Sequence, residues 1–222
     1  MEVVVLGSCA MYPGAGQACS GYLIRVGQTD LLLDCGTGVL SNLFRWIDPS
    51  DITALIISHL HTDHFLDIYP LRYYLQYGLV KKPMPVPVIA PPGAKAYIGQ
   101  LISESGQQDF AGVFQFEEIA EGKTCQFDQL KLTFFEVPHL ITAFGVTVEG
   151  EKKVVYSSDS ALTPRLTEVG READLLILEA TFTSKERENP VGHLNSKQAA
   201  EIAEAARAKQ LLLTHFWSGT HR

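Results

Sequence analysis

Ser58-His59-Leu60-His61-Thr62-Asp63-His64 follows directly on the apolar run 52–57, which is broken only by Thr53. Four side chains able to ligate a cation thus fall within six residues, just past a run with strand character. Side chains alternate faces along a strand, so His59 and His61, two apart, project to one side and can meet one cation. Asp63 and His64, at the turn into the next helix, can face a second cation nearby. The alternative, a solvated loop with three unrelated histidines, sits badly with the buried strand before it.

A dinuclear site needs more ligands than one loop supplies. His139 ends Phe134-Phe135-Glu136-Val137-Pro138, Asp159 follows Val154-Val155-Tyr156-Ser157-Ser158, and His215 follows Leu211-Leu212-Leu213-Thr214. Taken singly, each reads as a capped or hydrogen-bonded loop residue. Taken with the 58–64 loop, all sit just beyond apolar strands and can converge on one edge of a core.

The 222 residues are 46% hydrophobic and 19% charged, enough for one sizeable core, so a single domain over 1–222 is expected. Runs 3–6, 22–26, 31–34, 52–58 and 86–90 read as strands, and 66–79, 94–104 and 196–209 as helices. Asn195 and Gln198 suit a capping box for the last helix, and 210–214 resumes strand character. Between 113 and 155 the segments 114–118, 130–137, 143–148 and 154–156 read as an antiparallel meander. These elements predict an α+β fold, an αββα sandwich of two mixed sheets face to face with helices on both outer sides. The Pro-rich stretch 83–92 reads as a stiff loop, and the glycines at 7, 14, 16 and 21 as a turning rim loop rather than a phosphate cradle.

Eighteen Lys and Arg against twenty-five Asp and Glu give a net charge of −7, which disfavours a broad charge-driven grip on nucleic acid. Lys81-Lys82 and Lys152-Lys153 are too short for such a footprint. No apolar run approaches the roughly 18 residues of a membrane span, and residues 1–6 lack the pattern of a secretory signal. The expectation is a cytoplasmic protein without a membrane partner, whose four dispersed cysteines stay reduced.

The order His-x-His-x-Asp-His (His59 to His64), then His139, Asp159 and His215, resembles the metallo-β-lactamase fold hydrolases. It is most similar to the phosphodiesterase branch of ribonuclease Z and the phosphoribosyl cyclic phosphodiesterases. The likeness runs from Gly7-Ser8 and Asp34-Cys35-Gly36-Thr37-Gly38 through His215. It implies that His59, His61 and His139 hold one metal, that Asp63, His64 and His215 hold the other, and that Asp159 bridges them. Two zinc ions are implied, with manganese or iron(II) also accepted by such ligands. A bridging hydroxide would then attack a phosphate clamped by both metals.

The resemblance also puts His193 and Glu179 beside the departing oxygen, with Asp63 as the third catalytic candidate. Read without it, His193 is a surface loop histidine and Glu179 a strand-end carboxylate. It implies a homodimer, to which some of Tyr69, Tyr73, Tyr74 and Tyr77 would contribute. His221 belongs to no motif.

Ribonuclease Z carries a long tRNA-gripping arm between the equivalents of His139 and Asp159. Here those residues are 159 − 139 = 20 apart, room for a hairpin and no arm. The expected activity is therefore hydrolysis of a small, including cyclic, phosphodiester, with nucleic acid a disfavoured substrate. tRNA 3′-end processing is the alternative enzyme, and a non-catalytic metal-stapled binding domain the alternative outside enzymes. A β-lactamase or thiolesterase fits less well, because those branches lack the Glu179 and His193 pair.

Overall fold

In β4 (Thr29–Leu33), Leu31 and Leu33 enter one apolar layer while Leu32 enters another, as alternation in a strand buried on both faces requires. The same division runs through the molecule, seen in a computed structural model that describes residues 1–78, 85–185 and 187–217. Lys81, Lys82, Pro83 and His221 lie outside the described residues.

One six-stranded sheet runs in the order β1 (Glu2–Gly7), β3 (Gly21–Val26), β4, β5 (Ala54–Ile56), β6 (Val86–Ala90) and β7 (Phe114–Glu118). It is antiparallel from β1 to β4 and parallel from β4 to β7. The second runs β13 (Leu211–Thr214), β12 (Leu175–Glu179), β11 (Lys153–Tyr156), β10 (Ala143–Glu149), β9 (Leu130–Val137) and β8 (Thr124–Phe127). There β11 to β13 are parallel and β8 to β11 antiparallel. Short β2 (Cys9–Ala10) and β14 (Phe216–Trp217) pair in parallel.

Tyr22, Ile24, Leu31, Leu33 and Ile56 of the first sheet meet Leu132, Phe134, Val146, Val148 and Ile177 of the second in the central layer. On the outer face of the first sheet lie α1 (Val39–Leu43), α3 (Ile68–Tyr77), α4 (Ala94–Gly99) and α5 (Glu104–Val113). The outer face of the second is covered by α6 (Pro164–Gly170) and α7 (Ser196–Ala206). This is the αββα sandwich read from the sequence. Asn195 Oδ1 accepts from the Gln198 amide at 2.9 Å while Gln198 Oε1 accepts from the Asn195 amide at 3.0 Å, the expected capping box.

Three local readings are corrected. The helix expected over 66–79 is α3, Ile68–Tyr77, preceded by the separate short α2 (Thr62–Phe65); Asp67 between them accepts from the amides of Gly38 and Leu40 at the start of α1, both at 2.9 Å. The helix expected over 94–104 stops at Gly99, and Ser103 starts α5 by accepting from the Gly106 amide. Phe114–Glu118 is not part of the meander, since it pairs in parallel with β6 at the edge of the first sheet.

No helix among the described residues is long and apolar enough to cross a membrane. The C-terminal ends of β4, β5, β11, β12 and β13 deliver Asp34, the 57–61 loop, Asp159, Glu179 and His215 to one rim of the sandwich. Parallel strands place functional loops at their C-terminal ends in this way.

Candidate metal centre

Ile57 and Ser58 carry the chain on from β5, and Phe144 donates its amide to the Ser58 carbonyl at 3.0 Å. This contact ties the 57–61 loop to β10, and His59 bridges to Ala143. His61 then sits at the N-cap of α2, whose first turns carry Asp63 and His64. Asp34, Ser158 and His215, each just past a strand, hold positive φ of 58°, 57° and 56°. Such left-handed backbone costs about 1 kcal/mol or more per residue, and it clusters where side chains must be aimed.

The seven ligands inferred from the sequence come together in two groups. In the first are His59, His61, His139 and Asp159, and in the second Asp63, His64 and His215, with the ligating atoms of each group within 4.8 Å of one another. His61 Nδ1 lies 3.1 Å from both His59 Nε2 and His139 Nε2. Asp159 faces both groups: Oδ1 is 3.4 Å from His64 Nε2, and Oδ2 is 3.2 Å from His215 Nε2 and 3.7 Å from His59 Nε2. Asp63 Oδ2 lies 3.3 Å from His215 Nε2 and 3.7 Å from His64 Nε2.

These donors fit cations. One imidazole nitrogen carries at most one proton, so His61 Nδ1 cannot satisfy two ring nitrogens at once, and lone pairs are left converging. His64 Nε2 and Asp159 Oδ1 are buried without a hydrogen-bond partner although they face each other. Tetrahedral zinc with Zn–N of about 2.0–2.1 Å puts its ligand atoms about 3.3 Å apart, and the separations here run from 3.1 to 3.9 Å around that value.

Titration behaviour follows from burial and charge. Burial lowers the pKa of His59, His61 and His139, which favours the neutral form that ligates. Burial pushes His64 the same way, but Asp159 and Asp34 outweigh it and raise its pKa well above the ordinary value. A proton there occupies the charge position that a cation would fill. Burial would raise the pKa of Asp63 and Asp159, yet His215 and His64 hold both carboxylates below the usual range.

Outer partners fix the rings. Asp34 Oδ2 pairs with His64 Nδ1 at 2.8 Å and accepts the Tyr156 hydroxyl at 2.7 Å, while Ser58 donates its amide to Oδ1 at 2.7 Å. His139 Nδ1 donates to the Gly192 carbonyl at 2.6 Å, which leaves Nε2 for the centre. His215 Nδ1 meets Thr181 Oγ1 at 2.8 Å, and that hydroxyl donates to Glu179 Oε2 at 2.7 Å. The Met11 amide donates to Asp63 Oδ2 at 2.7 Å, so the glycine-bearing rim loop orients a ligand as well as turning.

His193 and Glu179 lie at the same rim. Glu179 Oε1 is 3.0 Å from His193 Nδ1, and Asp159 Oδ2 is 3.9 Å from the same nitrogen. Both residues are buried, so His193 is not the surface loop histidine it resembles when read alone, while Glu179 does end β12, with its carboxylate buried against His193. Sequence reasoning missed Asp34, Thr181 and Tyr156 as site residues. Asp34 had a signal, an acid closing the apolar run 31–33, whereas Thr181 and Tyr156 are ordinary residues made special only by the fold.

Fold and site together define a metal-dependent hydrolase of the metallo-β-lactamase type. The chain belongs to the beta-lactamase superfamily domain family, whose model matches residues 29–216. Among its relatives, the probable metallo-hydrolase YhfI of Bacillus subtilis is 34% identical, with 97% of this chain and 86% of that protein covered. The crystal structure of YhfI superposes with a TM-score of 0.86 at 31% identity, over 97% of this chain and 86% of that one. A ribonuclease Z of Ignicoccus hospitalis is 31% identical over 96% of this chain and 87% of its own. The short form of human tRNase Z superposes with a TM-score of 0.82 at 27% identity, over 99% of this chain and 94% of that one.

Proposed function

We propose that this protein is a dinuclear-metal phosphodiesterase acting on a small, including cyclic, phosphodiester. The single observation that carries the reading is the buried Glu179–His193 pair set against Asp159, beside the two groups that hold the seven inferred ligands, with His193 itself within reach of Asp159 and His215 in a third grouping. His59, His61 and His139 would hold one cation and Asp63, His64 and His215 the other, with Asp159 shared. Imidazole-rich donors with carboxylates suit zinc, and manganese or iron(II) would also be accepted. Bound there, the metals supply Lewis acidity, acidifying a water and neutralising charge on the phosphate.

The chain's own residues supply the rest. Glu179 holds His193 Nδ1, which fixes the ring and favours the charged form. The other ring nitrogen, Nε2, then carries the proton delivered to the departing oxygen. Thr181 Oγ1 accepts from His215 Nδ1 and donates its own hydrogen bond to Glu179 Oε2, so Nε2 of His215 keeps its lone pair. Asp63, ionised and held through Oδ2 by the Met11 amide, would be the carboxylate that accepts a proton from the attacking water.

A small substrate is favoured because the interval from His139 to Asp159 is filled by β10 and β11 alone. The net charge of −7 also disfavours a broad electrostatic hold on folded RNA, though it permits a local basic patch. tRNA 3′-end processing is the second reading, supported by the relatives named ribonuclease Z and tRNase Z. The two separate in one assay of the metal-reconstituted protein on bis-p-nitrophenyl phosphate, cyclic nucleotides and precursor tRNA. Turnover of the small diesters with little tRNA cleavage is expected, and the reverse ranking overturns the proposal.

The proposal extends to a cytoplasmic homodimer. Its four cysteines are free, which suits a reducing compartment. Tyr73 and Tyr77 stack at 6.2 Å on the exposed side of α3, near exposed Phe44 and its edge-on partner Tyr74. Light scattering that gives the monomer mass overturns that part.

A further inference from the structure

Three hydrogen bonds knit three loops around His139 and His193. The Gly192 carbonyl accepts from His139 Nδ1 at 2.6 Å, and the Ala161 amide donates to the Pro138 carbonyl at 2.7 Å. The Ser160 amide donates to Glu179 Oε1, the oxygen that holds His193. The two histidine rings lie 5.0 Å apart, edge to face. The β9–β10, β11–α6 and β12–α7 connections therefore meet on the side of the centre where a departing oxygen would take its proton from His193.

Each of these loops exposes an apolar side chain there. Leu140 follows His139, Leu162 follows Ala161 and Val191 precedes Gly192, and they are 63%, 57% and 76% exposed. Leu140 packs on Gly192, where a Cβ would lie 3.1 Å from Leu140 Cγ. One exposed leucine is ordinary, but several brought from three loops to one place mark a surface that a ligand covers. Residues 138–142, 158–163 and 188–194 hold no lysine or arginine. Lys185 and Arg187 come earlier in the β12–α7 connection, and the Arg187 guanidinium lies over the Phe182 ring, 4.4 Å from its centroid. The three stretches thus offer no cation to a second phosphate or carboxylate on the departing group, whereas Glu188 would repel one.

We propose that this lip is the subsite for the departing arm of the substrate, and that the arm carries an uncharged alkyl or aryl body. The inference rests on the phosphodiesterase reading and narrows its substrate to diesters with one apolar arm. It sets a polynucleotide, whose departing arm carries further phosphates, among the poor substrates. Leu140, Leu162 and Val191 determine specificity by covering the arm and touch no reacting atom.

The test is calorimetric titration of the metal-loaded protein with O-ethyl and O-hexyl methylphosphonate, singly charged mimics of a diester that differ only in the arm. The hexyl compound is expected to bind about tenfold tighter, the gain for four methylenes roughly half covered. Leu162→Ser combined with Val191→Ser should bring the two Kd values together, and Leu140 is kept because it packs on Gly192. Should the double variant fail to fold, Val191→Ser alone should close part of the gap. Equal Kd values in the wild type, an undiminished gap in the variants, or equally tight hexyl binding to the metal-free protein overturns the lip and leaves the phosphodiesterase reading standing. Failure of both probes to bind the metal-loaded protein removes that reading, and the lip falls with it.

Discussion

Glu179 Oε1 stands 3.0 Å from His193 Nδ1 in a buried pair, and the same carboxylate takes the Ser160 amide at 2.9 Å. Burial alone would lower the imidazole pKa, but the Glu179 hydrogen bond and charge outweigh it and hold the pKa above its ordinary value. A group so raised keeps its proton to higher pH. Activity that needs protonated His193 therefore persists on the acid side and falls as pH climbs through the raised value. In Glu179→Gln the ring loses its anionic partner, and the alkaline limb of kcat/KM moves to lower pH. A limb that stays in place in a pH–rate series counts against His193 as the donor. The stability that the pair contributes has the same sign, present below the unfolded histidine pKa and lost as pH rises past the folded one.

The side chains of His193 and His139 are both buried against Asp159, but His139 groups with His59 and His61 whereas His193 groups with His215 and is held by Glu179. Their alanine variants should separate. His193→Ala is expected to keep its metal content while kcat falls about 10²–10⁴-fold, the usual contribution of a positioned acid or base. His139→Ala is expected to lose metal as well as rate. Elemental analysis after dialysis, set beside steady-state kinetics, reads both. Metal loss on removing His193 would make it a ligand, and the proton-donor role would fall.

Asp34 touches no inferred substrate position, yet it gathers His64, Ser58 and Tyr156 around one carboxylate. Asp34→Ala leaves the Tyr156 hydroxyl and His64 Nδ1 without their acceptor in a buried place. Metal affinity should drop about 10–100-fold, as when other orienting partners of ligands are removed. Asp34→Asn keeps an acceptor and should recover part of the loss. Competition titration with a chromophoric chelator measures it, and unchanged affinity in both variants would reduce Asp34 to a packing residue.

The gathering of these seven side chains was legible because His139, Asp159 and His215 each stand just after an apolar strand, and His59, His61, Asp63 and His64 fall together in the loop and helix after β5. The sandwich was legible for the same reason, from short β-rich runs and three amphipathic stretches. Glu104–Val113 was not, since it carries two glycines and few apolar residues and is held by Phe110 and Val113 packing on the first sheet. The sheet joined by 114–118 was also hidden, because neither alternation nor turn chemistry states which strand a segment will pair with. Thr181 and Tyr156 were invisible for a third reason: their roles depend on partners 34 and 122 residues away.

Gly36 gives the sharpest link between an early motif and the centre. A Cβ there would lie 1.9 Å from the Asp63 carbonyl oxygen and 2.8 Å from Cys19 Cβ. Neither neighbour is free to retreat, because the adjacent Cys35 amide donates to the His64 carbonyl at 2.7 Å and Gly36 itself donates to the Ser20 carbonyl at 3.0 Å. In Gly36→Ala the turn carrying Asp63 and His64 must therefore move. Overpacking of this kind costs about 1–3 kcal/mol, and a displacement of about 1 Å at a ligand turn costs on the order of 10²-fold in rate. The expected outcome is a folded protein by circular dichroism, with a lower unfolding midpoint and kcat/KM reduced about a hundredfold. Wild-type activity in that variant would mean that the 34–38 segment packs against the 59–64 turn without setting its position.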